Sequence, residues 1–246
     1  MMMAGLYGIL WQEAVVFKRK FWATTLGNMV SPILYLVAFG WGLGGSVQMN
    51  GMSYMAYIIP GIIGMNTMMI SFSNTGSSIN ISRLFYKTFE SYMISPINMT
   101  VYALGKIIAG ALYGVYSAVL IVILVSVFTT DLVITPYFVL IALLNCLVFS
   151  AMGFFVGLLV NSHSDMSKFT SFVITPMSFL CGTFFPVDKM PEVLGWIIYV
   201  LPLTHTNIAL RSSGESAGQM ALHAGVLVVY FIVLFILGAR HCKNVE

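Results

Sequence analysis

The chain has 246 residues, 59% of them hydrophobic and only 8% charged, with a formal net charge of +3. No globular core of this length could bury so much apolar side chain, which excludes an ordinary water-soluble enzyme and favours a protein dissolved in lipid. The positive excess is too small and too dispersed for a nucleic-acid binder, so the sparse charges are read as markers of loops.

At the start, Leu6, Ile9, Leu10, Val16 and Phe17 recur at helical spacing, while Gln12, Glu13, Lys18 and Arg19 mostly take another face. That pattern predicts an interfacial helix over 1–21. No positive residue precedes the short apolar run of residues 1–10 and no cleavage site follows it, so the segment is expected to be retained. A bilayer core of about 30 Å needs roughly 20 apolar residues per helix. Stretches of that kind occupy 22–45, 54–75, 104–128, 136–160, 169–187 and 220–239. The predicted fold class is therefore all-α, a polytopic membrane protein with six transmembrane helices in a single domain, 1–246.

Trp22 and Trp41 frame the first span as interfacial anchors, about 28 Å apart at ~1.5 Å per residue. The second span contains Pro60, Gly61 and Gly64 and runs into the polar stretch Ser71 to Ser78, which leaves its end open by several residues. Tyr57, Met65, Met68, Met69 and Phe72 form a soft apolar series on it, suited to packing or to lining a route for lipid-like cargo. Residues 83–96 mix aromatics with charges and stop at a proline, as in a short helix held against another surface. After the fifth span, 182–211 is too apolar for a free loop and too short to cross the bilayer and return. It is broken by Pro186, Pro191 and Pro202, which predicts a re-entrant outer hairpin between helices 5 and 6.

Orientation follows from the basic residues. With the N-terminus in the cytoplasm, Lys18, Arg19, Lys20, Arg83, Lys87, Lys106, Lys168, Arg240 and Lys243 lie inside and only Lys189 and Arg211 outside. The positive-inside rule then places both termini in the cytoplasm. Cys146, Cys181 and Cys242 form no CxxC pair, and the first two read as small hydrophobes within apolar runs.

The chain has no GxxxxGK[ST] loop, no GxGxxG after a strand, no HExxH and no paired Cys/His spacing. No catalytic, cofactor-binding or metal-ligating residue is therefore expected, and energy must come from elsewhere. The apolar hearts of the spans hold no acid or base, which counts against an ion-coupled secondary transporter or channel-like protein. His205 and His223 read as interfacial histidines without a spaced partner, and Ser77 and Ser78 have no histidine in a span to activate them. An intramembrane enzyme is disfavoured accordingly.

Three motifs carry a likeness to a known family: Glu90 with Ser95-Pro96 after the second span, Gly182-x-Phe184-Phe185-Pro186 at the close of the fifth, and Leu201-Pro202-Leu203-Thr204-His205 with Arg211 downstream. Over nearly its whole length the chain resembles the ATP-binding-cassette type 2 permeases, membrane subunits of exporters for drugs, polysaccharides, teichoic acids and lipo-oligosaccharides. The resemblance implies a multi-pass protein of the bacterial inner membrane, exporting an amphiphilic, drug-like, lipid-linked or glycan substrate. It further implies an ABC ATPase subunit that binds the ATP and a homodimer or heterodimer with a second permease, surrounded by lipid. By the same resemblance Arg83, Lys87, Glu90, Ser95 and Pro96 form the ATPase-coupling segment. From the proline-broken apolar pattern, Gly182, Phe184, Phe185, Pro186, Pro191 and Pro202 are expected to form the outer gate, with the two phenylalanines either an apolar plug or facing lipid or the sixth span.

Overall fold

Lipid offers no partner to a free N–H or C=O, so an apolar chain of this kind folds as helix, and the computed structural model is almost wholly helical. It describes residues 2–42, 48–49, 52–95, 97–128, 132–212 and 216–244. The helices are α1 (Met2–Tyr35), α2 (Tyr54–Leu84), α3 (Thr88–Ile94), α4 (Met99–Phe128), α5 (Pro136–Leu159), α6 (His163–Phe169), α7 (Thr175–Leu180), α8 (Glu192–Val200), α9 (Pro202–Arg211) and α10 (Ala217–Asn244). A two-residue antiparallel pairing of β1 (Gln48–Met49) with β2 (Met52–Ser53) precedes α2. Among the described residues five helices are long and apolar enough to cross a membrane, or six if α8 and α9 count as one broken span.

The boundaries have local causes. No glycine or proline lies between Val16 and Leu26, so the interfacial helix and the first span run on as one rod, extended by a π-helical segment, Leu36–Trp41. The side chain of Trp41 lies outside the described residues. Ser53 caps α2 by accepting from the Ala56 N–H at 3.2 Å, and Thr135 caps α5 by accepting from Phe138 at 3.0 Å, with Pro136 in the first helical position.

The fifth run of helix is displaced from the expected 169–187. Ser162 starts α6 by accepting from the Asp165 N–H at 3.1 Å, and the Ser162 hydroxyl and the Lys168 ammonium hold the Asp165 carboxyl below its ordinary range. Between α6 and α7 lies a π-helical turn, Thr170–Ile174, at which the Thr175 N–H reaches back to Thr170. Pro176 follows immediately; it has no N–H and its ring crowds the preceding turn, which accounts for the wider winding. Gly182, at φ 76°, ends the run in a conformation that an L side chain rarely adopts. Together these pieces span ~27 Å at about 1.5 Å per residue.

α2 is the central helix, with most of its length buried, whereas α1 and α10 leave most of theirs open. Its polar run Ser71 to Ser78 stays helical because neighbours absorb the hydroxyls. Thr75 and Ser150 share a bond of 2.7 Å, Ser150 donates to the Ile107 carbonyl at 2.7 Å, and Ser78 meets Lys106 at 3.4 Å. Small residues set the distance between α2 and α5: a methyl group added at Gly157 would lie 2.8 Å from the Gly76 carbonyl oxygen. Higher up, Asn145 of α5 donates to the Gly64 carbonyl (3.0 Å) and to Thr67 (2.9 Å), and accepts from Thr206 of α9 (2.8 Å).

Beside α4, the ammonium of Lys106 and the carboxylate of Glu13 form an ion pair whose side chains are 6% and 12% exposed. The loop reading of both charges thus gives way to an internal strut between α1 and α4. Among the described residues the other ion pair, Lys168–Asp165, is on the surface.

Candidate functional site

The two segments singled out in the sequence sit at opposite ends of α2. At one end α3 follows a turn whose Lys87 has φ 52°. Phe89 is buried against Tyr102 with ring centroids 5.7 Å apart, and Tyr92 packs on the same ring at 4.8 Å while its hydroxyl bonds to Gln12 of α1. Ser95 closes the helix by donating from Oγ to the Tyr92 carbonyl at 2.7 Å. Lys87 and Glu90 are exposed, and among the described residues Glu90 forms no ion pair with Lys87 or Arg83. Pro96 lies outside the described residues.

Arg83 has a different place from the rest of this segment. Its guanidinium donates to the carbonyls of Gly157 (3.3 Å), Leu158 and Val160 (2.8 Å), and to Asn161 Oδ1 (3.4 Å). These are orphan acceptors at the C-terminus of α5, where a cation is favoured by the helix dipole. Arg83 therefore ties the end of α2 to the end of α5. Beside these polar groups the segment offers apolar side chains outward: Phe85 (79% exposed) and Tyr86 on the turn before α3, and Met93 and Ile94 (86% exposed) at its end.

At the other end, the turn after α7 is gripped from two sides. From α2, the hydroxyl of Tyr57 donates to the Gly182 carbonyl and that of Tyr54 to the Phe184 carbonyl, both at 3.3 Å. From α9, Asn207 donates to the Cys181 carbonyl (2.8 Å) and Thr183 Oγ1 (3.1 Å), and Arg211 donates to the carbonyls of Thr183 (3.0 Å), Asn207 (3.1 Å) and Tyr57 (2.9 Å). Gly61 makes the approach possible, because a Cβ there would lie 2.6 Å from the Thr183 carbonyl oxygen. Pro186 precedes a 3-10 turn (Val187–Lys189), Pro191 precedes α8, and Pro202 opens α9, which is bent 92° from α8. Each proline thus falls where a helix must start afresh.

The expected pair of plug residues is divided. Phe184 is buried among Phe39 (4.8 Å), Tyr35 (5.5 Å) and Phe179 (5.6 Å), whereas Phe185 is half exposed. Successive residues on this tight turn point apart, so the two rings do not form one plug. The histidines, by contrast, are brought together: His205 Nδ1 lies 3.0 Å from His223 Nδ1. Arg211, Gly182 and Phe184 carried a motif signal among the residues of the grip, whereas Tyr54, Thr183 and Asn207 carried none. Tyr57, Gly61 and Gly64, three and four residues apart on one face of α2, could have been read as its receiving surface. A cavity of about 380 Å³ opens beside it, lined by Tyr57, Asp188, Tyr199, Asn207, Arg211 and His223 among others.

Residues 5–213 match the model of the ABC-2 type transporter family, a stretch that takes in both segments and stops just short of α10. The chain belongs to the ABC-2 type transporter family. Among its relatives, nodulation protein J of Rhizobium leguminosarum bv. viciae is 28% identical over 233 residues, covering 90% of this chain and 87% of that one. The same protein of Rhizobium meliloti (strain 1021) is 28% identical over 245 residues, covering 92% and 91%. The inner membrane transport permease YadH of Escherichia coli (strain K12) is 25% identical over 233 residues, covering 93% and 91%. As an ABC-2 permease the chain is a membrane protein of an ABC transporter, and the family implies an ABC ATPase partner.

Proposed function

We propose that this chain is the substrate-conducting subunit of an ABC exporter in a bacterial inner membrane, with both termini in the cytoplasm and ATP hydrolysis confined to a separate subunit. The observation that carries the reading is α3. It is held rigidly to the bundle by Phe89 and Tyr92 and adjoins the Arg83 tie to α5, yet its Ile94 and, on the turn before it, Phe85 point outward as anchors for another protein. An ATPase that grips those side chains moves α2 and α5 together. ATP binding then shifts the population toward an outward-facing arrangement, which takes several kcal/mol of differential affinity to be nearly complete.

In this reading the coupling segment comprises Arg83, Lys87, Glu90, Ser95 and Pro96, with Glu90 the residue whose loss uncouples. The grip around Gly182 to Arg211 is the outer gate, and α8 lies in the outer leaflet, its Val193, Trp196 and Val200 exposed to lipid. The open faces of α1 and α10 meet lipid and a second permease, identical or not. The cargo is an amphiphile of drug, lipid-linked or glycan type, in keeping with relatives named for nodulation and for transport.

Co-expression with an ABC ATPase subunit and reconstitution test the proposal. ATP-dependent extrusion of a fluorescent amphiphile should require both chains, and activity of this chain alone overturns it. Orientation is tested separately: a cysteine at Lys189, exposed on the 3-10 turn before α8, should react with an impermeant thiol reagent outside the cell and one at Ser164 should not. The reverse pattern rejects the orientation alone.

A further inference from the structure

His205 and His223 meet across the seam between α9 and α10. Their Nδ1 atoms are 3.0 Å apart, and Nε2 of His205 lies 2.9 Å from the carbonyl oxygen of Tyr199. A carbonyl only accepts, so His205 Nε2 carries a proton. Between the two Nδ1 atoms one must donate and the other accept, and the axis therefore holds a single proton. A second proton there sets two N–H groups against each other and brings at least one imidazolium into the contact, converting a bond into a repulsion.

Both rings are almost buried, at 8% exposed, yet His223 borders the outer cavity, through which a proton can reach it. Among the described residues the charged and titratable groups around that cavity are Tyr57 of α2, Asp188 of the 3-10 turn, Tyr199 of α8 and Arg211 of α9. The acid and the base among them have opposite signs, so neither sign dominates the approach. From α5, Tyr137 donates to the Met220 carbonyl on α10 at 2.7 Å. Of these groups the imidazoles are the ones of the side-chain type that gains a proton on mild acidification.

The geometry points to a proton-operated latch on the outer gate, in which one shared proton holds α10 against α9 and a second proton parts the seam beside the cavity. The latch rests on the orientation and outer-gate assignment proposed above and is independent of the cargo and of the ATPase. Acidification of the outer side loosens the gate, and neutralisation restores it.

Spin labels on Val193→Cys of α8 and Leu222→Cys of α10, both exposed, report the seam in the full chain reconstituted in lipid; the three native cysteines are buried. The distance distribution should lengthen or broaden reversibly between pH 8 and pH 5, and should not change in the same labelled chain carrying His223→Gln. A distribution that ignores pH in the unmutated pair, or an identical shift in H223Q, overturns the latch. If H223Q does not fold, nitrogen NMR of ring-labelled histidine in the unmutated chain decides. At pH 8 one facing Nδ1 should be protonated and the other bare; two bare or two protonated Nδ1 atoms reject the shared proton.

Discussion

Arg211 lays its guanidinium over the ring of Tyr57, 4.1 Å from the centroid, while its Nε donates to the backbone carbonyl of that same residue at 2.9 Å. Two further donors reach the Thr183 and Asn207 carbonyls, so a single planar group joins α2, the post-α7 turn and α9. Lysine has neither the fork nor the flat face needed for this. Arg211→Lys should therefore be nearly as harmful as Arg211→Ala, each losing on the order of 2–4 kcal/mol from several charge-assisted hydrogen bonds. Thermal unfolding of the purified chain checks it: a Lys variant melting with the wild type would contradict the three-way tie.

Arg83 and Ile94 belong to one segment of the sequence but have separate tasks. Arg83→Ala leaves the α5 terminal carbonyls without their donor and should lower the melting temperature of the isolated chain by several degrees, through a loss of about 1–3 kcal/mol. Ile94→Ser and Phe85→Ser should leave that temperature within error but reduce ATPase recovered in pull-down. Glu90→Ala should assemble normally and lose transport relative to ATP hydrolysed. Equal transport and hydrolysis in the Glu90 variant would remove its coupling role.

The phenylalanines after Gly182 should part company under mutation. Truncating buried Phe184 to Ala costs about 3–5 kcal/mol through lost burial and the cavity left behind, whereas Phe185→Ala should melt as the wild type. If the exposed ring at 185 seals the closed pathway, that variant leaks ions in vesicles. A tight, active Phe185→Ala excludes a sealing role, and a fully stable Phe184→Ala would contradict its burial.

Glycine at 157 is a matter of clearance. Gly157→Ala drives a methyl group to 2.8 Å from the Gly76 carbonyl oxygen, so α2 and α5 must separate, at a cost of about 1–3 kcal/mol. Gly225→Ala in α10 meets nothing within 4 Å and should be neutral or gain up to about 1 kcal/mol from helix propensity. Matched melting curves for the two variants would show that the α2 and α5 backbones do not touch as described.

Much of the architecture was legible because lipid enforces both length and apolarity on whatever crosses it. Centrality was not. α2, interrupted by Pro60 and ending in hydroxyls, reads as the less secure span, yet it lies at the heart of the bundle, while the more apolar α10 lies at the rim. In lipid, oily side chains face outward as readily as inward, and helices meet through glycines and paired hydroxyls such as Thr75 and Ser150, whose partners are 75 residues apart. The motif around Gly182 to Pro186 was visible, but its receiving face on α2 was not, because close approach is a property of two backbones. The histidine contact was hidden by a chain reversal between residues 18 apart, and Arg83 was grouped with α3 by adjacency although its bonds lead to α5.

The Glu13–Lys106 strut also bears on how the bundle is assembled. A lone ammonium buried between α4 and α2 costs several kcal/mol until its carboxylate arrives. α4 can enter the bilayer with Lys106 still at the watery margin, but the final packing of its first turns waits for α1. α1, made before the rest of the bundle described here, is thus the helix whose docking lets the core close, and a chain lacking it would stall as loosely associated spans.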